Sequence, residues 1–139
     1  MIKVGLLGCG TVGSGVVELL NKNADIISRR TGDNIEVKKV LDKDLDKCRA
    51  LGIDEEKITA DFEDILHDDE IDIVVELIGG IEPALTMITR AMQQGKHIVT
   101  ANKDLIAEKG KELFDMAKEN QVDFYFEASV AGGSLLYIP

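Results

Sequence analysis

Three glycines near the start of the chain have the spacing of a phosphate-binding turn. Gly8, Gly10 and Gly13 follow the apolar run at residues 2–7 and precede residues with helical spacing. The first glycine permits a tight turn out of a strand, the second lets a pyrophosphate approach the backbone, and the third allows close helix packing. The N–H groups at the start of the helix then face the phosphates. This context predicts dinucleotide binding; the alternative is a glycine-rich turn of another α/β protein.

Two residues of opposite charge, Asp42 and Lys43, follow the second predicted strand. In a dinucleotide-binding sheet this position faces the adenosine ribose. An acid there accepts a hydrogen bond from the 2′-OH of NAD, and a base attracts the 2′-phosphate of NADP. Because the chain has both residues side by side, the pattern leaves NAD and NADP open. Two solvated charges are the alternative interpretation.

The segment Thr100-Ala101-Asn102-Lys103 leaves a short apolar strand. We expect this loop to reach the ligand crevice beside a nicotinamide. A lysine there can steer an anion, polarise a carbonyl or move a proton. The alternatives are a turn or helix-cap role for Asn102 and a solvated charge for Lys103.

A carboxylate and a flexible backbone segment follow the last predicted strand. Glu127 stands at the strand end, and Gly132-Gly133 allows the backbone to bend. A carboxylate together with backbone carbonyls can hold a hard cation. On the residues alone, a polar turn that leads out of the domain is the favoured interpretation.

The elements that must position these residues alternate between strand and helix. We predict strands at residues 2–7, 35–41, 71–78, 97–100 and 122–126, and helices at residues 12–27, 44–51, 62–66, 83–95 and 105–120. This alternation predicts an α/β fold of the Rossmann type, a doubly wound parallel sheet in one domain over residues 1–139. The segments described above, and Gly79-Gly80, all follow strands, where the crevice of such a sheet lies.

Composition excludes several classes of partner. The 139 residues carry 16 Lys and Arg against 26 Asp and Glu, a net charge of −10, so we expect no nucleic acid and no membrane as partners. No apolar run approaches the roughly 20 residues of a membrane-spanning helix. The first strand begins at once after Met1, so we expect no signal peptide and a cytoplasmic location.

The cysteines and histidines show no metal-binding pattern. Cys9 and Cys48 are far apart in sequence and form no Cys-x-x-Cys motif, and His67 and His97 have no ligand partner at metal spacing. We therefore expect two reduced thiols and two structural or surface histidines.

Four segments together make the chain resemble homoserine dehydrogenases: residues 4–13, 75–80, 99–103 and 126–133. The resemblance covers nearly the whole chain but only the nucleotide-binding part of the family. It implies NAD- or NADP-dependent interconversion of L-homoserine and L-aspartate 4-semialdehyde, in the route to threonine, methionine and isoleucine. The family usually continues with Ile-Pro after the position of Gly133, whereas this chain reads Ser134-Leu135 and ends at Pro139. We therefore expect this chain to bind nucleotide without turning over substrate.

The resemblance also implies roles for single residues. It assigns the pyrophosphate to Gly8, Gly10, Thr11, Val12 and Gly13, the 2′-phosphate to Lys43, the nicotinamide and substrate to Thr100 and Lys103, and a sodium-type cation to Glu127 and the backbone carbonyls of Val130, Gly132 and Ser134. Asp42 and Gly79 complete the predicted cofactor-binding set, and Lys103 is the predicted catalytic residue. We expect the full-length protein to be a homo-oligomer. Another NAD(P)-dependent dehydrogenase of similar fold and a non-catalytic nucleotide-sensing module are the alternatives.

Overall fold

A parallel sheet organises the part of the chain that the computed structural model describes, residues 2–9 and 35–126. Its strands are β1 (Ile2–Leu7), β2 (Ile35–Leu41), β3 (Ile58–Thr59), β4 (Ile71–Glu76), β5 (His97–Thr100) and β6 (Phe124–Phe126). The helices are α1 (Leu45–Ala50), α2 (Glu63–Leu66), α3 (Ala84–Gln93) and α4 (Lys103–Glu119), with a 3₁₀ turn at Glu55–Lys57.

The strand order is β3-β2-β1-β4-β5-β6, and every neighbouring pair is parallel. From β1 the chain adds β2 and β3 on one side of the sheet. It then returns to the other side of β1 and adds β4, β5 and β6. At this switch point, between β1 and β4, the connections leave in opposite directions and open a crevice at the carboxyl ends of the strands. The predicted doubly wound parallel sheet is confirmed.

The strand register aligns the carboxyl ends in a single row. Paired positions run across the sheet through Thr59, Leu41, Leu7, Glu76, Thr100 and Phe126. The residues that follow each strand therefore emerge side by side along one edge. This row explains why segments that are distant in sequence meet at one site.

Both faces of the sheet are buried, which explains the nearly continuous apolar runs of the central strands. On one face Val4 and Val75 pack in a cluster with Cys48. On the other face Leu7 and Val74 pack against side chains of the helices α2, α3 and α4. Fixed on both sides, the central strands give the crevice a rigid floor.

Several element boundaries differ from the predicted ones. The two-residue strand β3 was not predicted, because two residues are too few to show a period. Strand β4 ends at Glu76 rather than at residue 78, and α4 begins at Lys103 rather than at residue 105. The predicted helix at residues 12–27 lies outside the described residues. Within the described ranges, no helix has the length and apolar content needed to cross a membrane.

Close contact between β1 and α2 makes a glycine necessary at position 5. A Cβ added to Gly5 would stand 2.9 Å from Cγ2 of Ile65, a fully buried side chain. That methyl is attached directly to the branched Cβ of Ile65 and cannot rotate away without a change of rotamer. We predict that Gly5→Ala lowers the free energy of unfolding by about 1–3 kcal/mol, measured by urea denaturation.

The matched control is Gly110→Ala in α4. A Cβ there would meet Cγ2 of Ile106 at 3.5 Å, an ordinary contact distance. Alanine favours the helix, so this variant should be more stable by about 0.5–1 kcal/mol. Equal effects of the two substitutions would contradict the packing argument at Gly5.

Candidate functional site

A cavity of about 370 Å³ opens at the carboxyl ends of β1, β2 and β4. Its lining combines an apolar wall with a carboxylate and two ammonium groups: Gly8, Leu41, Asp42, Lys43, Lys47, Ala60, Leu77, Ile78, Pro83 and Met87. Apolar walls with a few convergent polar groups are typical of small-molecule sites. The cavity brings together three of the predicted cofactor-binding residues, Gly8, Asp42 and Lys43.

The turn after β1 is wedged between its neighbours and requires a glycine at its first position. Gly8 has φ +98°, a conformation that residues with a Cβ rarely adopt. Its N–H donates to the carbonyl of Leu41 at 2.7 Å, and a Cβ would stand 3.4 Å from the backbone carbon of Leu77. Gly8 thus lines the cavity between β2 and the loop that follows β4.

The carboxylate of Asp42 is held in place by neighbouring donors. Its Oδ2 accepts hydrogen bonds from the N–H and the thiol of Cys9, both at 3.1 Å, and its Oδ1 accepts one from the N–H of Asp44 at 2.9 Å. Burial raises the pKa of Asp42, but the N–H groups of Asp44 and Cys9, the Cys9 thiol and the charge of Lys47 outweigh it. The pKa therefore lies below its ordinary value. Asp42 is an oriented, ionised group at neutral pH.

Two exposed lysines flank this carboxylate. Lys43 follows Asp42 directly, and Lys47 lies in α1, whose first turn is capped by the Asp44 side chain accepting from the Lys47 N–H at 3.1 Å. Both lysines line the cavity. The cavity lining therefore contains one carboxylate and two ammonium groups. Asp42 and Lys43, the two residues predicted to face the ribose, both belong to it.

A buried carboxyl group connects the loop after β4 to β5. Glu76 has no exposed surface, although it is a charged residue type that directly follows three buried apolar residues at the end of β4. Its Oε2 accepts from the N–H groups of Ile78 at 2.8 Å and Gly79 at 2.9 Å, and its Oε1 accepts from the Thr100 hydroxyl at 2.6 Å. Sequence analysis assigned Glu76 no role. The signal in the sequence that could have indicated a role for Glu76 is its place as the one acidic residue in the apolar run at residues 73–78.

Asn102 extends this network to the start of α4. Its N–H donates to the Thr100 hydroxyl at 3.1 Å, and its amide donates to the carbonyl of Gly80. Its Oδ1 accepts from the N–H of Leu105 at 3.1 Å, which makes Asn102 the helix cap and Lys103 the first residue of the helix. The sequence predicts Lys103 in a loop. In the structure the helix begins two residues earlier than predicted, so Lys103 belongs to its first turn.

The residues predicted to lie beside the nicotinamide are at the carboxyl ends of β4 and β5, next to the cavity. Thr100 is fully buried, and its hydroxyl is engaged with Glu76 and Asn102. Lys103 is exposed at the carboxyl end of β5, and Gly79 has φ +82° in the loop after β4. The structure brings these residues together through the Glu76 network rather than within the lining of the cavity.

Two thiols and a carboxylate that are distant in sequence lie together beside the end of β1. Cys9, Asp42 and Cys48 offer ligand atoms within 4.8 Å of one another. Burial first, and then the adjacent Cys48 thiol and the Asp42 carboxylate, raise the pKa of Cys9 to about 12. Cys9 is therefore a protonated thiol at neutral pH. Both cysteines are free, as expected.

The histidines have local roles among the described residues. His67 Nε2 lies 3.0 Å from Glu63 Oε1 on the surface, and His97 Nδ1 accepts from the N–H of Asp123 at 2.9 Å. Neither belongs to a metal-ligand group in the part of the chain that the structure describes. The remaining predicted site residues lie outside the described ranges: Gly10, Thr11, Val12, Gly13, Glu127, Val130, Gly132 and Ser134.

Comparison with known proteins identifies close relatives of this domain. The family model of the homoserine dehydrogenase NAD-binding domain matches residues 8–127. The homoserine dehydrogenase of Bacillus subtilis (strain 168) is 48% identical over 132 residues, which cover 95% of this chain and 30% of the relative. That of Pseudomonas aeruginosa is 47% identical over 133 residues, again 95% and 30%. The chain thus spans about a third of the length of these curated relatives.

Solved structures agree. A homoserine dehydrogenase from Thiobacillus denitrificans superposes with a TM-score of 0.77 at 48% identity, over 92% of this chain and 30% of that one. A hyperthermophilic archaeal homoserine dehydrogenase in complex with NADPH gives a TM-score of 0.68 at 25% identity, over 92% and 44%.

The Glu76 network predicts a specific effect at Thr100. Thr100→Val keeps the shape of the side chain but leaves Glu76 Oε1 and the Asn102 N–H without their partner. We predict that the free energy of unfolding falls by about 1–3 kcal/mol. Amide hydrogen exchange should show faster exchange of the Asn102 N–H. In Thr100→Ser, which keeps the hydroxyl, this amide should retain its protection; equal loss in both variants would contradict the assignment.

Proposed function

Because the chain belongs to the homoserine dehydrogenase family as its NAD-binding domain, we propose that it binds the dinucleotide cofactor of an enzyme interconverting L-homoserine and L-aspartate 4-semialdehyde. The observation that carries this proposal is the cavity at the switch point. It joins Gly8, the ionised carboxylate of Asp42 and an apolar wall in one place. A nucleotide needs these three surfaces for its phosphate, ribose and base.

The residues present fit the adenosine half of a dinucleotide. We assign the adenine to the wall formed by Ile78, Pro83 and Met87, which offers apolar surface to a flat ring. The ribose then falls to Asp42. The pyrophosphate falls to the turn that begins at Gly8, because a residue without a side chain allows a phosphate to approach the backbone. Gly10, Thr11, Val12 and Gly13 continue that turn in sequence and remain the predicted phosphate-binding residues.

We propose that both NAD and NADP bind, with opposing contributions from neighbouring side chains. Asp42 favours the free 2′-OH of NAD, because a fixed anion repels a 2′-phosphate. Lys43 and Lys47 favour NADP, because their ammonium groups lie at the same end of the cavity. The archaeal relative solved with NADPH supports the use of NADP within the family.

When bound, the nicotinamide would accept a hydride from the alcohol carbon of homoserine or donate one to the aldehyde carbon of the semialdehyde. The residues of this chain hold the loops around it. The Glu76 carboxyl group fixes Ile78 and Gly79, and Thr100 joins them to the start of α4. We propose that Lys103, exposed on the first turn of that helix, contacts the anionic end of the substrate or transfers the hydroxyl proton. Thr100 would then act through the position of its loop.

Three further proposals rest on the resemblance and on the length of the relatives. Glu127 and the carbonyls of Val130, Gly132 and Ser134 would bind a sodium-type cation. The full-length protein would be a homo-oligomer. The 139 residues alone would bind nucleotide without turning over substrate, since the relatives are about three times as long. A chain that oxidised homoserine alone would contradict the last proposal.

Calorimetric titration with NAD and NADP tests the proposed site. We predict that Asp42→Asn weakens NAD binding about tenfold, because it loses a charged acceptor for the ribose, and affects NADP less. Lys43→Ala should weaken NADP binding more than NAD binding. The matched controls are Asp46→Asn and Lys111→Ala, which change the same charges outside the cavity lining. Failure of the unsubstituted chain to bind either dinucleotide would contradict the proposed function.

Lys103 is tested in a protein extended by the remaining domain of the family. We predict that Lys103→Ala lowers kcat/KM for homoserine about 10²–10⁴-fold, because the loss removes a proton-transfer or charge contact. Its melting temperature and cofactor affinity should stay close to those of the unsubstituted protein. Lys111→Ala, two turns along the same helix, is the control. Near-normal turnover of Lys103→Ala would show that Lys103 is a solvated surface charge without a role in catalysis.

A further inference from the structure

We propose that the Cys9 thiol is a positioning group for cofactor choice: it holds the Asp42 carboxylate so that one oxygen stays available to a ribose hydroxyl. This inference rests on the proposed function of the cavity. It concerns Cys9, the residue between the first two glycines of the turn, for which the sequence predicted only a reduced thiol.

Geometry connects the two side chains directly. Cys9 contributes both its N–H and its thiol to Oδ2 of Asp42, each at 3.1 Å, although the residues are 33 positions apart. The side chain of Cys9 is completely buried, so water does not compete for this contact. The end of β1 is thus joined to the residue after β2 by a side-chain bond as well as by the backbone bond from Gly8 to Leu41.

The direction of the thiol bond follows from the protonation states. The pKa of Asp42 is lowered, so the carboxylate carries no proton to donate. The pKa of Cys9 is raised to about 12, so its thiol retains one. The thiol therefore donates and the carboxylate accepts. Among the described residues, the titratable groups around Asp42 include Cys9, Cys48, Lys43, Asp44 and Lys47.

The acceptor positions of the Asp42 carboxylate explain how the bond from the Cys9 thiol affects cofactor binding. An ionised carboxylate has about four acceptor positions, two on each oxygen. Cys9 fills both positions on Oδ2, and the Asp44 N–H fills one on Oδ1. Among the described residues, one position on Oδ1 remains in a group that lines the cavity. That position matches a hydroxyl donor, whereas a 2′-phosphate brings negative charge to a carboxylate that cannot turn away.

Removal of the thiol releases one of the two bonds on Oδ2. In Cys9→Ala the carboxylate keeps its two backbone bonds but loses the side-chain bond, so its orientation is held less firmly. We expect NAD to bind about threefold to tenfold more weakly, less than the effect of losing a whole hydrogen bond to a charged group, because the carboxylate itself remains. NADP affinity should change less, because a displaced carboxylate also repels the 2′-phosphate less.

The experiment measures dissociation constants for NAD and NADP by calorimetry. Cys9→Ala should lower the preference for NAD over NADP, and Cys9→Ser, which restores a donor, should recover most of it. Cys9→Val is a second variant without a donor that fills the same space. Cys48→Ala controls for packing, since it removes the adjacent buried thiol without breaking the bond to Asp42.

A double-substitution cycle separates positioning from a general structural effect. If Cys9 acts through Asp42, Cys9→Ala should leave the preference unchanged in an Asp42→Asn background. An equal loss of NAD and NADP affinity in Cys9→Ala, or the same change of preference with Asp42 already replaced, would overturn the inference while leaving the proposed function intact. If the unsubstituted chain bound neither dinucleotide, the proposed function would fail, and the inference with it.

Discussion

The buried carboxyl group of Glu76 is the interaction on which the arrangement of the site depends. Its oxygens accept from Ile78, Gly79 and Thr100, which belong to two neighbouring strand ends. A carboxyl group in this position without donors would cost several kcal/mol, so its retention requires all of these bonds at once. The loop after β4 and the start of α4 are therefore fixed as one unit rather than as two independent loops.

The strand register supplies the frame within which this unit acts. The ends of β2, β1, β4 and β5 are level, so their following residues project from one edge. Gly8 and Asp42 lie on one side of the switch point. The Glu76 network, formed by Glu76 with its partners at Ile78, Gly79 and Thr100, lies on the other. One half of the edge carries the charges proposed to select the ribose, and the other carries the exposed Lys103.

Much of the fold was predictable because it depends on local patterns. Apolar runs of branched residues marked the central strands, and Gly8 with its spacing marked the turn. Strand β3 was missed because two residues carry no period. The start of α4 was placed too late, since the cap bond from Asn102 to Leu105 depends on a side-chain orientation that sequence spacing does not encode.

The site was predictable in its positions but not in its bonds. The place of Asp42 after the second strand follows from the fold, whereas its contact with the Cys9 thiol needs the register of two strands joined by a long connection. The same holds for Glu76 and Thr100, which pair only because β4 and β5 end at the same level. Long-range hydrogen bonds of this kind become visible only in three dimensions.

The exposed lysines at the cavity have a consequence for association kinetics. The chain carries a net charge of −10, so at long range it repels a polyanionic ligand such as a dinucleotide. At physiological ionic strength this repulsion is screened beyond about 8 Å. Lys43 and Lys47, exposed residues of the cavity lining, then offset part of the repulsion close to the site. Low salt should therefore slow the encounter, the reverse of what is common for proteins with a basic surface that bind anions.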